Sequence, residues 1–370
     1  MNGTHSEARP EEVAGALPGA GWGGAVAHVY QTRRCGVSTI EGDKVRGQWT
    51  DPARAKLTVA AWADEWLTTK VDLRRSSASR LKGVLRCHMI PTFGAIALAD
   101  VGNAAVRAWV ADMTADGVGA ATVRKSYNAL AQMMRAAVAD RRIAFDPCQD
   151  VPLPTEEYGE QRFLTPEEVA TLADSIEPRY RAIVLLGAYG GLRFGECGAL
   201  RRARVDLLGG RVSVAETLVD VDGQLSFGPP KTKKSRRTVP LPRRIVHELD
   251  QHMNSYVLPD SDALLFTGPK GGLLRRAGFG RLWWHPAVTA AGLEGLRFHD
   301  LRHTFVALWV DAGANPKEVS VRAGHSSVAF TLDRYGHLYE DREDRLSDRL
   351  DSLLEGARPA RDAVVTRLKT

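Results

Sequence analysis

The sequence has few cysteines and no long apolar run, and these two absences exclude several classes of protein. Its 4 cysteines lie far apart among 370 residues, with no CxxC pair, so reduced thiols are favoured over disulfides and no zinc site is expected. The most apolar early stretch, residues 14–30, is rich in glycine and follows acidic residues. It predicts neither a signal peptide nor a membrane span. We therefore expect a cytoplasmic protein without a membrane partner.

The charge balance is nearly even. The 50 basic residues exceed the 44 acidic ones, which gives a net charge of +6. This mild excess favours an anionic partner, but many soluble enzymes have one like it. With 44% hydrophobic and 25% charged residues, the composition is that of an ordinary globular protein. The length suffices for two domains, each with its own core.

Helical periodicity begins near residue 57. Residues 1–56 are rich in glycine and alanine and predict an irregular N-terminal arm. Thr58 is expected to cap a helix that places Trp62 and Trp66 on one core-facing stripe. Further helices are expected over 76–89, from a cap at Asn103 through Met113, and over 123–134. Residues 57–145 are therefore predicted to form a small all-helical bundle.

Three prolines among acidic and polar residues predict an exposed linker over 146–162. The second domain is expected over 163–345 and to begin with a helix whose cap is Thr165. A C-terminal helix and tail are expected after this domain, over 346–370. Alternating patterns predict a three-stranded antiparallel sheet formed by residues 211–218, 225–228 and 236–241. The expected fold class is therefore mostly α (α+β), with the helical bundle followed by an α-rich domain that contains one small antiparallel sheet.

Two polar clusters of the second domain precede its later helices, and each has an ordinary structural explanation. Arg193 and Glu196 lie one helical turn apart, a spacing that usually indicates only a surface ion pair. Residues 231–237 read KTKKSRR, which fits either a solvated hairpin tip or a phosphate contact. Lys231 could also donate a proton to a leaving oxygen if burial and nearby cations lower its pKa.

Two further clusters lie near the end of the domain. His299 and Arg302 are three residues apart at a helix start, and the planar fork of an arginine can bind two phosphate oxygens at once. Tyr335 lies about three helical turns beyond His325. A tyrosine at a helix end is usually a packing residue. Its phenol, with an ordinary pKa near 10, would need assistance to act as a nucleophile.

Taken in order, five short segments resemble the conserved boxes of the tyrosine recombinases, the family of the phage integrases. The segments are Gly191-Leu192-Arg193, Pro230-Lys231-Thr232-Lys233, His299-Asp300-Leu301-Arg302-His303, Gly324-His325-Ser326 and Tyr335-Gly336-His337. Each is weak alone, but five in the right order are specific. The resemblance extends to the helical bundle, which it implies is a SAM-like core-binding domain that holds DNA. Whether residues 1–56, a degenerate counterpart of an arm-binding region, bind separate DNA sites stays open.

The resemblance implies that the protein cuts and rejoins DNA through a 3′-phosphotyrosyl link, with no metal or nucleotide cofactor. Arg193 and Arg302 would stabilise charge on the scissile phosphate, braced by Glu196. The other implied roles are proton donation to the leaving 5′ oxygen by Lys231, assistance to proton transfer by His299, a phosphate hydrogen bond from His325, and nucleophilic attack by Tyr335.

Three positions depart from the family pattern without removing a functional group. Gly190 stands where threonine is common, Ala323 stands where leucine is usual, and Tyr335 lies ten rather than nine residues beyond His325. The longer spacing leaves Tyr339 as an alternative nucleophile.

The expected biological role is the integration or excision of a phage or mobile element. Its expected partners are double-stranded attachment sites, further copies that form a tetramer on DNA, and an accessory DNA-bending or directionality factor. A type IB topoisomerase and a non-catalytic DNA-binding regulator are the alternatives. Relaxation of plasmids that lack any special sequence would favour the first, and the complete set of six polar residues argues against the second.

Overall fold

A computed structural model of the chain describes residues 56–156, 161–230, 235–340 and 343–356. The chain divides into two compact units. Of the described residues, 56–73 and 80–156 form the first unit, and 74–79 with those from 161 onward form the second. The predicted N-terminal arm lies outside the described residues, apart from its last residue. Within these ranges no helix is long and apolar enough to cross a bilayer.

The first unit is helical, and a wide turn joins two of its helices. Its helices are α1 (Val59–Thr68), the later part of α2 (Arg75–Val84), α3 (Ile90–Phe93), α4 (Asn103–Ala115) and α5 (Ala120–Ala139). A wide π-turn, Leu85–Met89, joins α2 to α3, and a 3₁₀ turn, Leu98–Asp100, precedes α4. The predicted cap of α1 is confirmed, since the Thr58 hydroxyl accepts a hydrogen bond from the Ala61 amide at 3.3 Å.

The predicted cap at Asn103 is wrong. Gly102 occupies the cap position of α4, and Asn103 is the first residue of the helix. The Asn103 amide instead donates to the carbonyls of Pro147 at 3.0 Å and Gln149 at 2.7 Å. A long-range contact therefore takes the place of the predicted local cap.

Large aromatic side chains fill the core of the first unit. Trp62 and Trp66 of α1 are buried on one face, as predicted, together with Trp109 of α4. Buried indoles need a hydrogen-bond partner for their N–H group. The indole of Trp62 donates to the Met133 carbonyl at 3.1 Å, and that of Trp109 donates to the His88 carbonyl at 2.9 Å. These bonds fix α1 and α4 against the rest of the bundle.

The second unit is built from helices packed around the buried helix α12. Its helices are α6 (Pro166–Ser175), α7 (Arg181–Gly190), α8 (Phe194–Gly198), α9 (Arg243–Tyr256), α10 (Arg276–Phe279), α11 (His285–Ala290), α12 (Asp300–Asp311), α13 (Pro316–Ala323), α14 (Val328–Tyr335), α15 (His337–Glu340) and α16 (Glu343–Gly356). A wide turn, Gly280–Trp284, joins α10 to α11.

Three helix starts in this unit have a side-chain cap whose partner lies within one turn, and the predicted cap at Thr165 is one of them. Thr165 and Glu168 form a reciprocal capping box at α6, with Pro166 at the first position. Asn315 and Glu318 form the same arrangement at α13. Ser327 caps α14 by accepting a hydrogen bond from the Phe330 amide at 3.1 Å. The start of α14, the helix that carries Tyr335, is therefore defined by a side-chain cap.

The unit contains a three-stranded antiparallel sheet, but its strands differ from those predicted. The strands are β1 (Val205–Asp206), β2 (Arg211–Val214), β3 (Thr217–Val221), β4 (Gln224–Gly228) and β5 (Arg237–Pro240). The sheet has the order β1-β2-β5, with Val212 opposite Val239, whereas β3 and β4 form a separate hairpin. The strand predicted over 211–218 is thus divided between two sheets, and 225–228 belongs to the hairpin.

Two apolar clusters hold the second unit together and meet along α12. The larger cluster includes Ile183 and Leu186 of α7 and Leu301 of α12. The smaller one includes Phe305 and Tyr335. Since α12 is buried along most of its length, the polar side chains at its first turn are held on a rigid support.

Candidate active site

Arg193 lies on the turn between α7 and α8. Helix α7 ends at Gly191, whose φ of 61° is left-handed, a conformation that glycine adopts at little cost. The Arg193 guanidinium donates to Oε1 of Glu196 at 2.8 Å, and its backbone amide donates to Oε2 at 2.9 Å. The Arg193 side chain stays 38% exposed, so it can meet a ligand while Glu196 orients it.

Glu196 is bound from its other side by Arg237, a residue to which the sequence gave no individual role. Both side chains are only 3% exposed, and Nη2 of Arg237 lies 2.9 Å from Oε2 of Glu196. Arg237 also donates to the carbonyls of Arg322 at 2.7 Å and Gly191 at 3.2 Å. Burial alone would raise the pKa of Glu196, but the charges and hydrogen bonds of Arg237 and Arg193 lower it. The carboxylate is therefore ionised and holds two arginines.

Arg302 is buried at the first turn of α12, where two backbone carbonyls orient it. Its Nη1 donates to the Gly191 carbonyl at 2.7 Å, and its Nη2 donates to the Ala323 carbonyl. The Gly191 carbonyl thus accepts from both Arg302 and Arg237. Burial, together with the nearby charges of Arg193 and Arg237, lowers the pKa of Arg302 to about 9. The guanidinium remains protonated at neutral pH within an excess of positive charge.

The hydroxyl of Tyr335 is hydrogen-bonded to His303. Its oxygen lies 2.6 Å from Nδ1 of that histidine, and the tyrosine side chain is 1% exposed. Burial raises the pKa of the phenol, while the positive charges of Arg302 and Arg334 act in the opposite direction. The candidate nucleophile is therefore held inside the cationic cluster.

His325 stacks on the ring of Tyr335. The two ring planes are nearly parallel, at 4°, with centroids 5.9 Å apart. Nδ1 of His325 lies 2.8 Å from the Thr331 hydroxyl. Burial, then the charges of Arg302 and Arg193, lower the pKa of His325 to about 3. Its imidazole is neutral at physiological pH and can donate or accept a hydrogen bond.

His299 lies at the solvent edge of the cluster. It forms part of the wall of a cavity of about 390 Å³, together with Arg193, Thr217 and Arg276. The ring of His299 also meets that of His303 edge-on, with centroids 5.1 Å apart. His299, His303 and Tyr335 thus form a row of rings that leads from the cavity to the buried phenol.

Five of the six predicted site residues lie within the second unit, around α12. Arg193, Arg302 and His325 act on one another electrostatically, and Arg302 and His325 also neighbour the phenol of Tyr335. Lys231 falls in residues 231–234, outside the described part of the chain. Within that part, no cluster of side chains could hold a metal ion. The site-residue assignment itself stays a prediction.

Two further residues of this site, Arg237 and His303, received no role from the sequence. His303 directly follows Arg302 and lies four residues after His299, so helical spacing could have placed it on the His299 face. Arg237 ends the basic run, and its buried partner Glu196 is 41 residues distant. No local pattern indicates a contact of that range.

The chain is similar to several known proteins. The model of the phage integrase family matches residues 162–342. The putative prophage phiRv2 integrase of Mycobacterium tuberculosis is 30% identical over 299 residues, which cover 80% of this chain and 78% of that protein. The integrase of Mycobacterium phage FRAT1 is 29% identical over 319 residues, or 83% of this chain and 93% of that protein.

The chain belongs to the phage integrase family. It is therefore a tyrosine recombinase, an enzyme of site-specific DNA recombination.

Solved structures of integrases have the same fold. The Tn1549 transposon integrase in complex with transposon right-end DNA aligns with a TM-score of 0.67 at 20% identity, covering 80% of this chain and 99% of that one. A lambda integrase dimer bound to a COC′ core site aligns with a TM-score of 0.56 at 14% identity, covering 74% of this chain and 97% of that one. At these identities the likeness concerns the fold.

Proposed function

We propose that this integrase inserts or excises a phage genome or another mobile element by cutting attachment-site DNA with Tyr335. The observation that carries the proposal is the position of the Tyr335 hydroxyl, hydrogen-bonded to His303 within a cluster that contains Arg302 and the stacked ring of His325. A packing tyrosine has no need of so many cationic neighbours. Tyr339, the alternative nucleophile, packs partly buried against the smaller apolar cluster.

Arg193 and Arg302 stabilise the charge that builds on the scissile phosphate. When Tyr335 attacks, the phosphorus passes through a five-coordinate arrangement in which its non-bridging oxygens gain negative charge. Fixed guanidinium groups stabilise that charge without reorganising during the reaction. The carbonyls of Gly191 and Ala323 hold Arg302, and Glu196 holds Arg193. His325 adds a hydrogen bond from a neutral ring.

The strand exchange needs no external energy. A bond forms between the Tyr335 oxygen and phosphorus, the bond from phosphorus to the 5′ oxygen breaks, and Lys231 protonates that oxygen, with assistance from His299. The 3′-phosphotyrosyl link conserves the energy of the phosphodiester. The 5′ hydroxyl of a partner strand can therefore attack it and release the tyrosine, so the scheme uses no metal or nucleotide cofactor.

The substrate is a pair of double-stranded attachment sites, and several copies of the protein act together. In support, a lambda integrase tetramer bound to a Holliday junction shares the fold, with a TM-score of 0.58 at 16% identity. We assign DNA binding next to the cleavage site to the helical unit, and we include an accessory DNA-bending or directionality factor among the partners.

The C-terminal helix α16 is proposed to join neighbouring subunits. Its Leu350, Leu353 and Leu354 are 60%, 68% and 66% exposed, which is an unusual display of large apolar side chains on one helix. Burial of this stripe on a second copy would explain it. A chain that ends at residue 342 should bind DNA without forming tetramers, and tetramers formed by that chain would exclude the role of α16.

The decisive experiment is capture of the covalent intermediate. Sequencing outward from the gene across the junction of the circular element gives the attachment site, and a nicked half-site duplex of that sequence traps cleaved product on the protein. Wild type should form an adduct that is stable in denaturant, Tyr335→Phe should form none, and Tyr339→Phe should form it normally. An adduct with Tyr335→Phe would contradict the assignment. Equal cleavage of duplexes unrelated to the junction would indicate a type IB topoisomerase instead.

A further inference from the structure

The imidazole of His303 makes the closest polar contact to the proposed nucleophile. Its Nδ1 lies 2.6 Å from the Tyr335 oxygen, which is short for a hydrogen bond between nitrogen and oxygen. The side chains are 5% and 1% exposed, so bulk water is kept away from the bond. In a neutral imidazole whose Nε2 carries the ring proton, Nδ1 accepts, and the phenol is then the donor.

The two histidines already assigned roles are placed differently. Nδ1 of His325 is bonded to the Thr331 hydroxyl, and its contact with Tyr335 is between ring faces. His299 is exposed at the cavity wall and meets the ring of His303. His303 thus differs from both, because its ring nitrogen directly contacts the reacting oxygen.

Building on the proposed function, we propose that His303 accepts the phenolic proton of Tyr335 as that oxygen attacks the scissile phosphate. The O–H bond breaks and its proton passes to Nδ1, while the electron pair of the oxygen forms the new bond to phosphorus. The bond to the 5′ oxygen breaks, and that oxygen takes a proton from the acid assigned above, Lys231. In the rejoining step the 5′ hydroxyl attacks phosphorus and gives its proton to the amine of Lys231, while the bond from phosphorus to the tyrosine oxygen breaks and Nδ1 returns its proton to that oxygen.

The surroundings of His303 keep its imidazole in the neutral form, which is the form that can accept a proton. Burial, then electrostatic repulsion from the protonated form of His299 and from Arg334, lower the pKa of His303 to about 4, so its imidazole is neutral at neutral pH. The ionisable groups that face it are Arg297, His299 and Asp300 around the start of α12, His325 after α13, and Arg334 and Tyr335 on α14. A bound phosphate adds negative charge, which favours the protonated imidazole.

The test compares two substitutions with a matched control. His303→Asn keeps an acceptor near the position of Nδ1 but cannot take the proton, and His303→Ala removes both properties. His252→Asn is the control, because His252 is also buried in the second unit, where it bonds to the Leu265 carbonyl at 2.8 Å. Single-turnover cleavage of the nicked half-site is measured from pH 6 to 9, after circular dichroism has verified folding.

Wild type and His252→Asn should cleave at rates that level off above neutral pH. Both His303 variants should be slower at pH 7 by about 100-fold or more, the usual contribution of a positioned general base. Their rates should rise with pH throughout the range, because the phenol must then lose its proton to solvent. If His303→Asn has the rate and pH profile of wild type, only a positioning hydrogen bond is needed and the proposal is wrong.

A modified leaving group separates the two proton transfers. A half-site with sulfur in place of the 5′ bridging oxygen releases a thiolate that needs no proton donor. The defect of Lys231→Ala should largely disappear on this substrate, whereas that of His303→Asn should persist. Recovery of His303→Asn would mean that His303 serves the leaving group and would overturn the proposal.

A measurement without DNA distinguishes failure of this inference from failure of the proposed function. In ¹⁵N-histidine NMR spectra of the full chain, the resonance lost in His303→Asn identifies Nδ1, and Tyr335→Phe should shift it strongly. An unchanged resonance would overturn the role of His303 while leaving that of Tyr335 intact. If wild type itself forms no adduct on any junction sequence, both proposals fall.

Discussion

Replacement of Arg237 by methionine tests the electrostatic framework of the site. The Arg237 side chain is 3% exposed and donates to Glu196 and to the carbonyls of Gly191, Ser235 and Arg322. Methionine fills a similar volume but leaves Glu196 buried with Arg193 as its remaining cation. Removing one partner of a buried ion pair costs about 3–5 kcal/mol. Because Arg193 still bonds to the carboxylate, we expect the lower end, about 3 kcal/mol.

The assay is calorimetric unfolding of the full chain, which resolves separate transitions for separate domains. For a domain of this size, each kcal/mol lowers the midpoint by about 2–4 °C. The transition of the second unit should therefore fall by about 6–12 °C in Arg237→Met. The matched control is Arg181→Met in the same unit, since Arg181 pairs with Glu248 at 2.9 Å but is 30% exposed. A solvated pair of this kind contributes about 1 kcal/mol or less.

A double substitution separates the ion pair from packing. If Arg237 acts by neutralising Glu196, the change Glu196→Leu should cost less in the Arg237→Met background than alone, by about 1–3 kcal/mol, the usual coupling between contacting residues. Equal losses of stability in Arg237→Met and Arg181→Met, or additive losses in the double variant, would show that Arg237 does not stabilise the unit by neutralising Glu196.

Two further predictions concern pH and backbone geometry. The pKa of the buried His303 is lowered to about 4, and that of His325 to about 3. In the unfolded chain the pKa of a histidine is about 6.5. Between these values each histidine is protonated in the unfolded chain but neutral in the folded one. Urea unfolding should show stability falling on acidification, by about 1.4 kcal/mol per pH unit for each of these histidines, and His303→Asn should show a correspondingly smaller slope. Gly191→Ala should reduce half-site cleavage at least tenfold, because its Cβ would lie 2.6 Å from the Phe305 ring. Gly292→Ala, with a similar φ of 67° but open space around it, should cleave normally, and equal defects would mean that φ strain alone is responsible.

The sequence could predict those features whose partners lie within one helical turn. The capping boxes of α6 and α13 need only residues three apart, and both were predictable. The αL glycine before Arg193 is a local signal of the same kind. Such contacts depend little on the remainder of the fold, so a pattern in the chain suffices to identify them.

Features that depend on distant segments were not predictable in this way. Asn103 has the composition of a cap, but carbonyls 44 and 46 residues away occupy its amide. The pairing of β2 with β5 leaves the intervening hairpin out of the sheet, and alternation along a strand does not specify its neighbour. The contact of His303 with Tyr335 spans 32 residues and depends on the packing of α14 against α12.

The site as a whole is arranged to receive an anion. Arg193 and Arg237 share the single carboxylate of Glu196, and Arg302 relies on backbone carbonyls in place of a counter-ion. The resulting excess of positive charge, added to burial, lowers the pKa of Arg302 and keeps His325 neutral. A phosphodiester would relieve this repulsion and raise the proton affinity of both histidines that contact Tyr335. Binding of the scissile phosphate would therefore itself prepare His303 to take the phenolic proton, which couples cleavage to the presence of substrate.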